Sequence, residues 1–444
     1  MTEMRKQNSI PIMSKGKSNI PMIIMLFILV VFGLVILYSV SGPIAYSEHA
    51  DSSYYVVKQI FFSSLGLVAC FVIERIPMRW YNQRWIMVGV YAVALALIIL
   101  TRLVGTAHGN AKRWLNLGFE FQTSELVKIA VVLCYAIYRT MIVELRKKGK
   151  LVASNPKYQA LKDAFLDFIL PVGCMLVLDV FILIQPHFSC FIIVGLICAI
   201  CVLVSGVKLK SWLIGMAVFI PVGALCIGIF MASSAGFRDK ILRNFSHVFK
   251  RFEIYAAQDA DEGSSTLSED DTRQVDSASN ALGSGGVWGL GLGNSRSKYS
   301  YVSEAENDYI FSVYVEETGL VGGTILILIY LVVFTLGMNV ARKTKTVFGR
   351  IIAVGYTFLI MIEAMLNIAV ELKVIPATGV TLPFVSYGGT AQVLLFVAFG
   401  MVLCVSRTEG TMFKPQQPAI EQQVNLASAS QDVDAKNEGI KVGI

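Results

Sequence analysis

The residues best suited to chemistry lie between Leu282 and Phe311, where the chain reads LGSGGVWGLGLGNSRSKYSYVSEAENDYIF. A glycine-rich loop carrying Arg296 and Lys298 runs into Asp308 at the point where polar sequence gives way to a long apolar run. A carboxylate at such a boundary is partly desolvated, which raises its pKa toward the range where it takes a proton from a hydroxyl. It can equally cap the helix that follows. Upstream of it, Gly291, Gly293, Asn294 and Ser295 would let backbone N–H groups approach an anion while Arg296 and Lys298 supply charge, or would simply make the loop flexible. A nucleotide-binding role fails, because neither the Walker spacing nor a clean G-x-G-x-x-G between strand and helix is present.

A second polar cluster precedes the fourth apolar run: Lys112, Arg113 and Trp114, then Gln122, Ser124, Glu125 and Lys128. Glu125 and Lys128 are three apart at a helix start and can pair on one face, and Arg113 can bind a phosphate or offset Glu125. Within the apolar runs, Asp179, His187, Glu316, Glu317, Glu363, Glu371 and Lys373 stand out. An ionised group at mid-bilayer costs about 2.5 to 3.5 kcal/mol on insertion scales, so these should face the bundle interior or a wet cavity. They fit a proton or ion pathway, or ion pairs that hold helices together. His187 has no His, Cys or carboxylate at ligand spacing, so no metal site is expected from spacing.

The elements that must position these groups are membrane helices. With 55% hydrophobic and 16% charged residues over 444 positions, the chain is too apolar for a soluble core, and its apolar residues fall in runs near spanning length. About ten spans are expected, at Pro21–Val40, Tyr54–Val72, Ile86–Leu103, Leu126–Tyr138, Ala164–Ile184, Phe188–Val207, Ser211–Met231, Tyr309–Met338, Ile351–Val370 and Thr390–Val405, the fourth and last short or irregular. The first run is too long for a cleaved signal and reads as a retained anchor. Pro376, Gly379, Pro383, Gly388 and Gly389 break VIPATGVTLPFVSYGGT, which suggests a re-entrant stretch lining a groove. All eight cysteines lie in or beside apolar runs and read as small core hydrophobes.

Loop charges set the orientation. The N-terminus carries Arg5, Lys6, Lys15 and Lys17, and alternate loops carry Arg75, Arg79 and Arg84, then Arg146, Lys147, Lys148 and Lys150, then Lys208 and Lys210, then Arg342, Lys343 and Lys345. This places both termini in the cytoplasm and accounts for the net charge of +7 without nucleic acid. The expected organisation is a cytoplasmic tail over 1–20, a membrane domain over 21–407 with a large extracytoplasmic loop over 233–308 between helices 7 and 8, and a disordered cytoplasmic tail over 408–444. The acidic stretch Asp259 to Asp271 is too polar to pack a core.

These pieces together resemble the SEDS family of shape, elongation, division and sporulation proteins, and are closer to its FtsW and SpoVE branch than to RodA. The resemblance covers nearly all of Pro21 to Arg407 and rests on KRWLNLGFEFQTSELVKIA from Lys112, QPHF from Gln185, the glycine-rich segment from Gly283, EETGLVGG from Glu316 and NIAVELKVIPATGVTLPFVSYGG from Asn367. It implies an all-α polytopic protein of the bacterial cytoplasmic membrane. The implied activity is a peptidoglycan glycosyltransferase that polymerises lipid II at the outer face and releases undecaprenyl pyrophosphate. It further implies a class B penicillin-binding protein as partner, membrane lipids as surroundings and no nucleic acid. Asp308 matches the family's catalytic aspartate, and Arg113, Glu125 and Lys128 match a trio lining its central cavity. A divalent cation such as Mg2+ or Mn2+ could assist the departing pyrophosphate. Two readings from other classes stand beside this one: a translocator of lipid-linked precursor, and a non-catalytic scaffold of a wall-synthesis complex.

The chain departs from the family pattern in places. LPEAHTDF becomes VSEAENDY, which puts Ser303, Glu306 and Asn307 near the aspartate; QPDFGT becomes QPHFSC, with His187 for an aspartate; QPSE becomes QTSE, with Thr123; and Ser277 stands where a glutamine is common, while Gln274 is kept. Glu306 adds negative charge two residues from Asp308 and should raise its pKa.

Overall fold

The computed structural model describes residues 16–108, 111–116, 118–153, 155–185, 187–257, 269–299 and 305–412. Most of the acidic stretch Asp259 to Asp271, most of the tail over 408–444, and Ser303 lie outside the described residues.

The apolar runs become helices: α1 (Ile20–His49), α2 (Tyr54–Arg75), α3 (Arg84–Val104), a small antiparallel sheet of β1 (Thr106–His108), β2 (Ala111–Asn116) and β3 (Glu120–Gln122), then α4 (Thr123–Lys147). There follow α5 (Pro156–Ile184), α6 (Phe188–Val204), α7 (Leu209–Ala232), the loop helices α8 (Ala235–Asn244), α9 (Ser246–Ala257) and α10 (Glu269–Ser284), and finally α11 (Ile310–Lys343), α12 (Val347–Glu371) and α13 (Thr390–Met412). Among the described residues nine helices are long and apolar enough to cross a membrane, and α6 is a shorter tenth. The protein is therefore a polytopic helical membrane protein of the size its runs imply.

Local signals start several helices. Asn19 accepts from Met22 N, Asn155 from Lys157 N with Pro156 in the first turn, and Thr346 from Gly349 N, each filling a donor that the helix itself leaves open. The expectation that the fourth and last spans are short is corrected. In α4 the apolar run is interrupted by Glu125, Lys128 and Arg139, but Lys128 pairs with Glu125 and Glu363, and Arg139 with Asp167 at 2.5 Å. Paired charges no longer oppose burial, so α4 runs for 25 residues. The last helix likewise continues to Met412, and the short one is α6.

Helix α12 packs against α4, α6, α11 and α13 and is the centre of the bundle. Two thirds of its apolar window is buried, against 6% for α7, which among the described residues packs mainly on the first half of α5. Asp179 is buried on α5, its carboxylate about 4 Å from where a Cβ would stand at Gly195 of α6.

Candidate functional site

Asp308 sits in the turn just before α11, half-buried, and its position is fixed from α12. Asn367 Nδ2 donates to the Asp308 carbonyl at 2.8 Å and to the Val380 carbonyl at 2.9 Å. Glu371, one turn further along α12, accepts from Phe311 N at 3.3 Å, from Ser312 N and from Ser312 Oγ, each of the latter two at 2.5 Å. The first N–H groups of α11 are thus capped by a carboxylate from another helix, in keeping with the favourable field at a helix N-terminus. The N–H groups of Phe311 and Ser312 thus find their acceptor in Glu371.

Opposite Asp308, the broken segment after α12 runs through a string of irregular conformations, and neighbouring side chains take up its carbonyls. Tyr255 Oη donates to Val374, Arg251 Nη1 to Ala377 at 3.1 Å, Ser189 Oγ to Thr378, Tyr330 Oη to Pro383 at 2.5 Å, and Gln59 Nε2 to Ser386 at 2.9 Å. Ser386 Oγ accepts from Leu382 N and donates to the Asn307 carbonyl at 2.6 Å. Non-helical backbone at membrane depth requires such partners, and here it has them. Gly379 has φ of +66°, a conformation that favours glycine, and a Cβ there would stand 3.3 Å from Asp308 Oδ2, so a larger residue would strain the backbone and crowd the acid.

Between these walls lies a cavity of about 1410 Å³, the setting that Asp308 shares with Arg113, Glu125, Lys128, His187 and Glu363. Deep in it, Lys128 is nearly fully buried, pairs with Glu125 at 2.6 Å and also bonds Glu363 of α12. Arg113 reaches in from β2 of the hairpin, and burial, reinforced by the neighbouring Arg251, pulls it down to about 10. The buried His187, hydrogen-bonded through Nδ1 to Ser124 Oγ at 3.1 Å, is pushed well below its ordinary value, first by burial and then by Arg113, Lys128 and Arg251. It stays neutral where an acid might have been expected to carry charge. On the side toward α2 the lining turns apolar at Phe61, Phe62 and Phe119.

The structure thus brings Arg113, Glu125, Lys128 and Asp308 into one cavity. It does not bring in the other six expected substrate contacts: Gly291, Gly293, Asn294, Ser295, Arg296 and Lys298 do not line it. Most of their polar groups are engaged within the loop and by its neighbours. Helix α11 breaks at Gly319, where φ is +70° and ψ is −173°, and the glycine-rich loop fills the break. Leu290 N donates to Glu316 O and Gly291 N to Glu317 O, while Leu320 N and Val321 N donate back to Gly286 O and Val287 O. Glu316 accepts from Ser295 Oγ, Arg296 N and Ser297 N. The buried Lys298 pairs with Glu317 at 2.9 Å, and Ser39 of α1 bonds both Glu317 and Gly293 N. Arg296 is exposed and is not part of the cavity lining.

The intramembrane charges accordingly divide: Glu363, His187 and Lys373 line the cavity, Glu316 and Glu317 hold the loop, and Glu371 caps α11. Residues that sequence reasoning missed include Lys250, Arg251 and Tyr255 of α9, and Asn367. The first set had a signal in the spacing of Arg251 and Tyr255, four apart on one helix face; the second in Glu363, Asn367 and Glu371, a polar stripe along an apolar helix. As for a divalent ion, the described residues contain no group of three or more His, Cys, Asp or Glu placed to hold one. Glu125 and Glu363 are already engaged by Lys128, and His187 by Ser124, so the donor set present does not fit a metal centre.

Comparison with known proteins gives a consistent result. Residues 20–411 match the family model for cell cycle proteins of the FtsW, RodA and SpoVE type. The stage V sporulation protein E of Bacillus subtilis is 28% identical over 395 residues, covering 88% of this chain and 98% of the relative. The probable peptidoglycan glycosyltransferase FtsW of Bacillus subtilis is 32% identical over 389 residues, covering 84% and 87%, and that of Hydrogenovibrio crunogenus 31% over 385 residues, covering 86% and 89%. Among solved structures, a chain from a peptidoglycan synthase complex that coordinates polymerization and crosslinking superposes with a TM-score of 0.62 at 21% identity, over 88% of this chain and 98% of that one. Rod shape determining protein RodA of Thermus thermophilus gives 0.58 at 20% identity, over 88% and 97%. With a break-capped α11, a central α12 and a cavity at their shared end, this chain belongs to the FtsW/RodA/SpoVE family of cell cycle proteins.

Proposed function

We propose that the protein is a peptidoglycan glycosyltransferase that polymerises lipid II at the outer face of the cytoplasmic membrane, with Asp308 as general base. The observation that carries this reading is the placement of Asp308: an acid whose backbone carbonyl is held by Asn367 of α12 and which lines a 1410 Å³ cavity with Arg113, Glu125 and Lys128 that turns apolar at Phe61 and Phe62. A polar chamber with an apolar side suits a substrate that joins a sugar and pyrophosphate to a polyprenyl chain.

Asp308 takes the proton from the acceptor's 4-hydroxyl, and that oxygen forms the new bond to the donor's anomeric carbon. The bond from that carbon to the pyrophosphate oxygen breaks, and its electron pair leaves with undecaprenyl pyrophosphate. Arg113 faces the growing negative charge on the leaving group, where a fixed cation in a partly dry cavity is most effective. The Glu125–Lys128–Glu363 cluster is locked in ion pairs and keeps the cavity floor rigid.

Orientation follows from charge. Beyond its break at Gly319, helix α11 runs on from Leu320 to Arg342 and Lys343, roughly 36 Å of helix, so the cavity at its start lies at the opposite end from that basic loop. With basic loops inside, the cavity faces outward and both termini are cytoplasmic. A class B penicillin-binding protein is the partner this reading implies.

Purified protein with such a partner and lipid II is expected to yield glycan strands, and Asp308→Ala to yield none while expression and partner binding persist. Labelled lipid crossing proteoliposomes equally well in that variant would favour the translocator, and rescue of cell-wall growth by it would favour the scaffold; either result overturns this proposal.

A further inference from the structure

The glycine-rich loop buries Ser295 and Lys298, and what it leaves outside is largely apolar. Trp288 is 80% exposed, the most of any large apolar side chain among the described residues, and Val287, Leu290 and Leu292 are exposed beside it in the chain. No charged residue interrupts 283–295. Apolar side chains gathered outside a folded protein mark a surface that meets a second apolar body.

Helix α11 sets the level at which this loop lies. Its stretch from Leu320 to Lys343 is roughly 36 Å long. A hydrocarbon core is about 30 Å thick, and a bilayer with its headgroups about 40 to 45 Å. With Arg342 and Lys343 at one boundary, Leu320 stands at the other. The loop is fastened to that same turn, because Leu320 N donates to Gly286 O at 2.9 Å and Val321 N to Val287 O at 3.3 Å. Trp288 is therefore held at the end of the span. Below it, the exposed residues Val321, Ile325, Leu328 and Val332 follow one another at helical spacing down a single face of α11. The apolar loop thus continues a membrane-facing stripe.

The five tryptophans support the same level. Trp80, Trp85 and Trp212 lie within four residues of Arg79, Arg84 and Lys208, at the basic boundary, and Trp114 lines the cavity. Trp288 is left for the opposite boundary. Tryptophan gathers at both membrane surfaces, where its ring meets acyl carbon and its N–H meets headgroups or water. Arg296, exposed in the same loop, is a cation suited to headgroup phosphates.

We propose that Val287, Trp288, Leu290 and Leu292 form a bilayer anchor, by which the glycine-rich loop dips into the headgroup layer of the leaflet opposite the basic loop. That leaflet is the outer one on the orientation given above, and the contact itself does not depend on the glycosyltransferase reading. The loop that fills the break at Gly319 is then also the part of the chain that fixes this break at the membrane surface.

The test is the fluorescence of Trp288 in the full chain, one copy per nanodisc, taken as the difference between wild type and Trp288→Phe. The nanodiscs contain phosphatidylcholine brominated either near the glycerol end or near the tip of the acyl chains, and iodide serves as the aqueous quencher. The difference spectrum is expected to lie to the blue of that of the denatured chain. Shallow bromines should quench it at least about twofold more than deep ones, and iodide less than about half as well as in the denatured chain, as a ring at the boundary requires. Leu292→Trp in the Trp288→Phe background moves the reporter along the loop and should give the same order of quenching. Full quenching by iodide with no effect of brominated lipid would put the loop in water and overturn the anchor. Stronger quenching by deep bromines than by shallow ones would overturn it too. So would loss of lipid quenching when the transpeptidase partner is added, since the face would then belong to that protein.

Discussion

Two stretches of this chain are rich in glycine, lie next to a helix break and carry positive charge, and they do opposite things. Between Gly283 and Lys298 the buried polar groups are taken up by the protein: Glu316 collects Ser295 and two backbone N–H groups, and Glu317 takes Lys298. Between Lys373 and Thr390 the backbone is tied by Asn367, Arg251, Ser386 and Gln59, and much of the segment remains cavity wall together with Asp308. The difference teaches that glycine content and nearby cations do not mark an anion site. What matters is whether the donors are already taken.

That contrast can be broken by substitution. The largest effect is expected in the clasp: Lys298→Met leaves Glu317 buried opposite an apolar chain, and breaking one side of a buried pair costs about 3 to 5 kcal/mol. Thermal unfolding in detergent should show it; a normal melting temperature would mean that the clasp carries no weight. Next comes Asn367→Ala, which frees the Asp308 and Val380 carbonyls. A misplacement of the base on the scale of 1 Å costs on the order of 10²-fold in rate, so glycan synthesis should fall about that far while folding holds. Activity within twofold of wild type would show that Asp308 is positioned by something else.

The smallest expected effect is on pH dependence. Burial, followed by the nearby Arg113, Lys128 and Arg251, holds the folded-state pKa of His187 well below the ordinary histidine value of about 6.5, so the unfolded chain binds more protons as pH falls through that value, and stability should rise with pH across this window and be fully present above it. Melting temperatures recorded from pH 7.5 to 5.5 should therefore drop, and His187→Asn should flatten part of that drop. An identical slope in the variant would remove His187 from the account.

Much of this was legible in the sequence because run length and loop charge report directly on the bilayer. The ten apolar runs and the re-entrant break follow from such signals, while the joint presence of Arg113, Glu125, Lys128 and Asp308 in one cavity was implied only by the family resemblance. The length of α4 was not legible, because Lys128 and Arg139 lower its hydropathy and their partners Glu363 and Asp167 lie 235 and 28 residues away. The clasp was hidden for a related reason. Nothing in Gly283 to Lys298 says that the open carbonyls it will meet belong to a helix broken at Gly319. Glu371 was read as a costly membrane charge, and only the fold shows that it caps the helix behind Asp308.

The central claim is that Asp308 acts as a base on a hydroxyl within this cavity, and the most direct test is lipid II polymerisation by Asp308→Asn beside wild type, each with the same transpeptidase partner and matched melting temperatures. Asparagine keeps the shape but cannot accept the proton, so glycan strands should disappear while partner binding remains. Strand synthesis by the asparagine variant at a rate near that of wild type would contradict the claim.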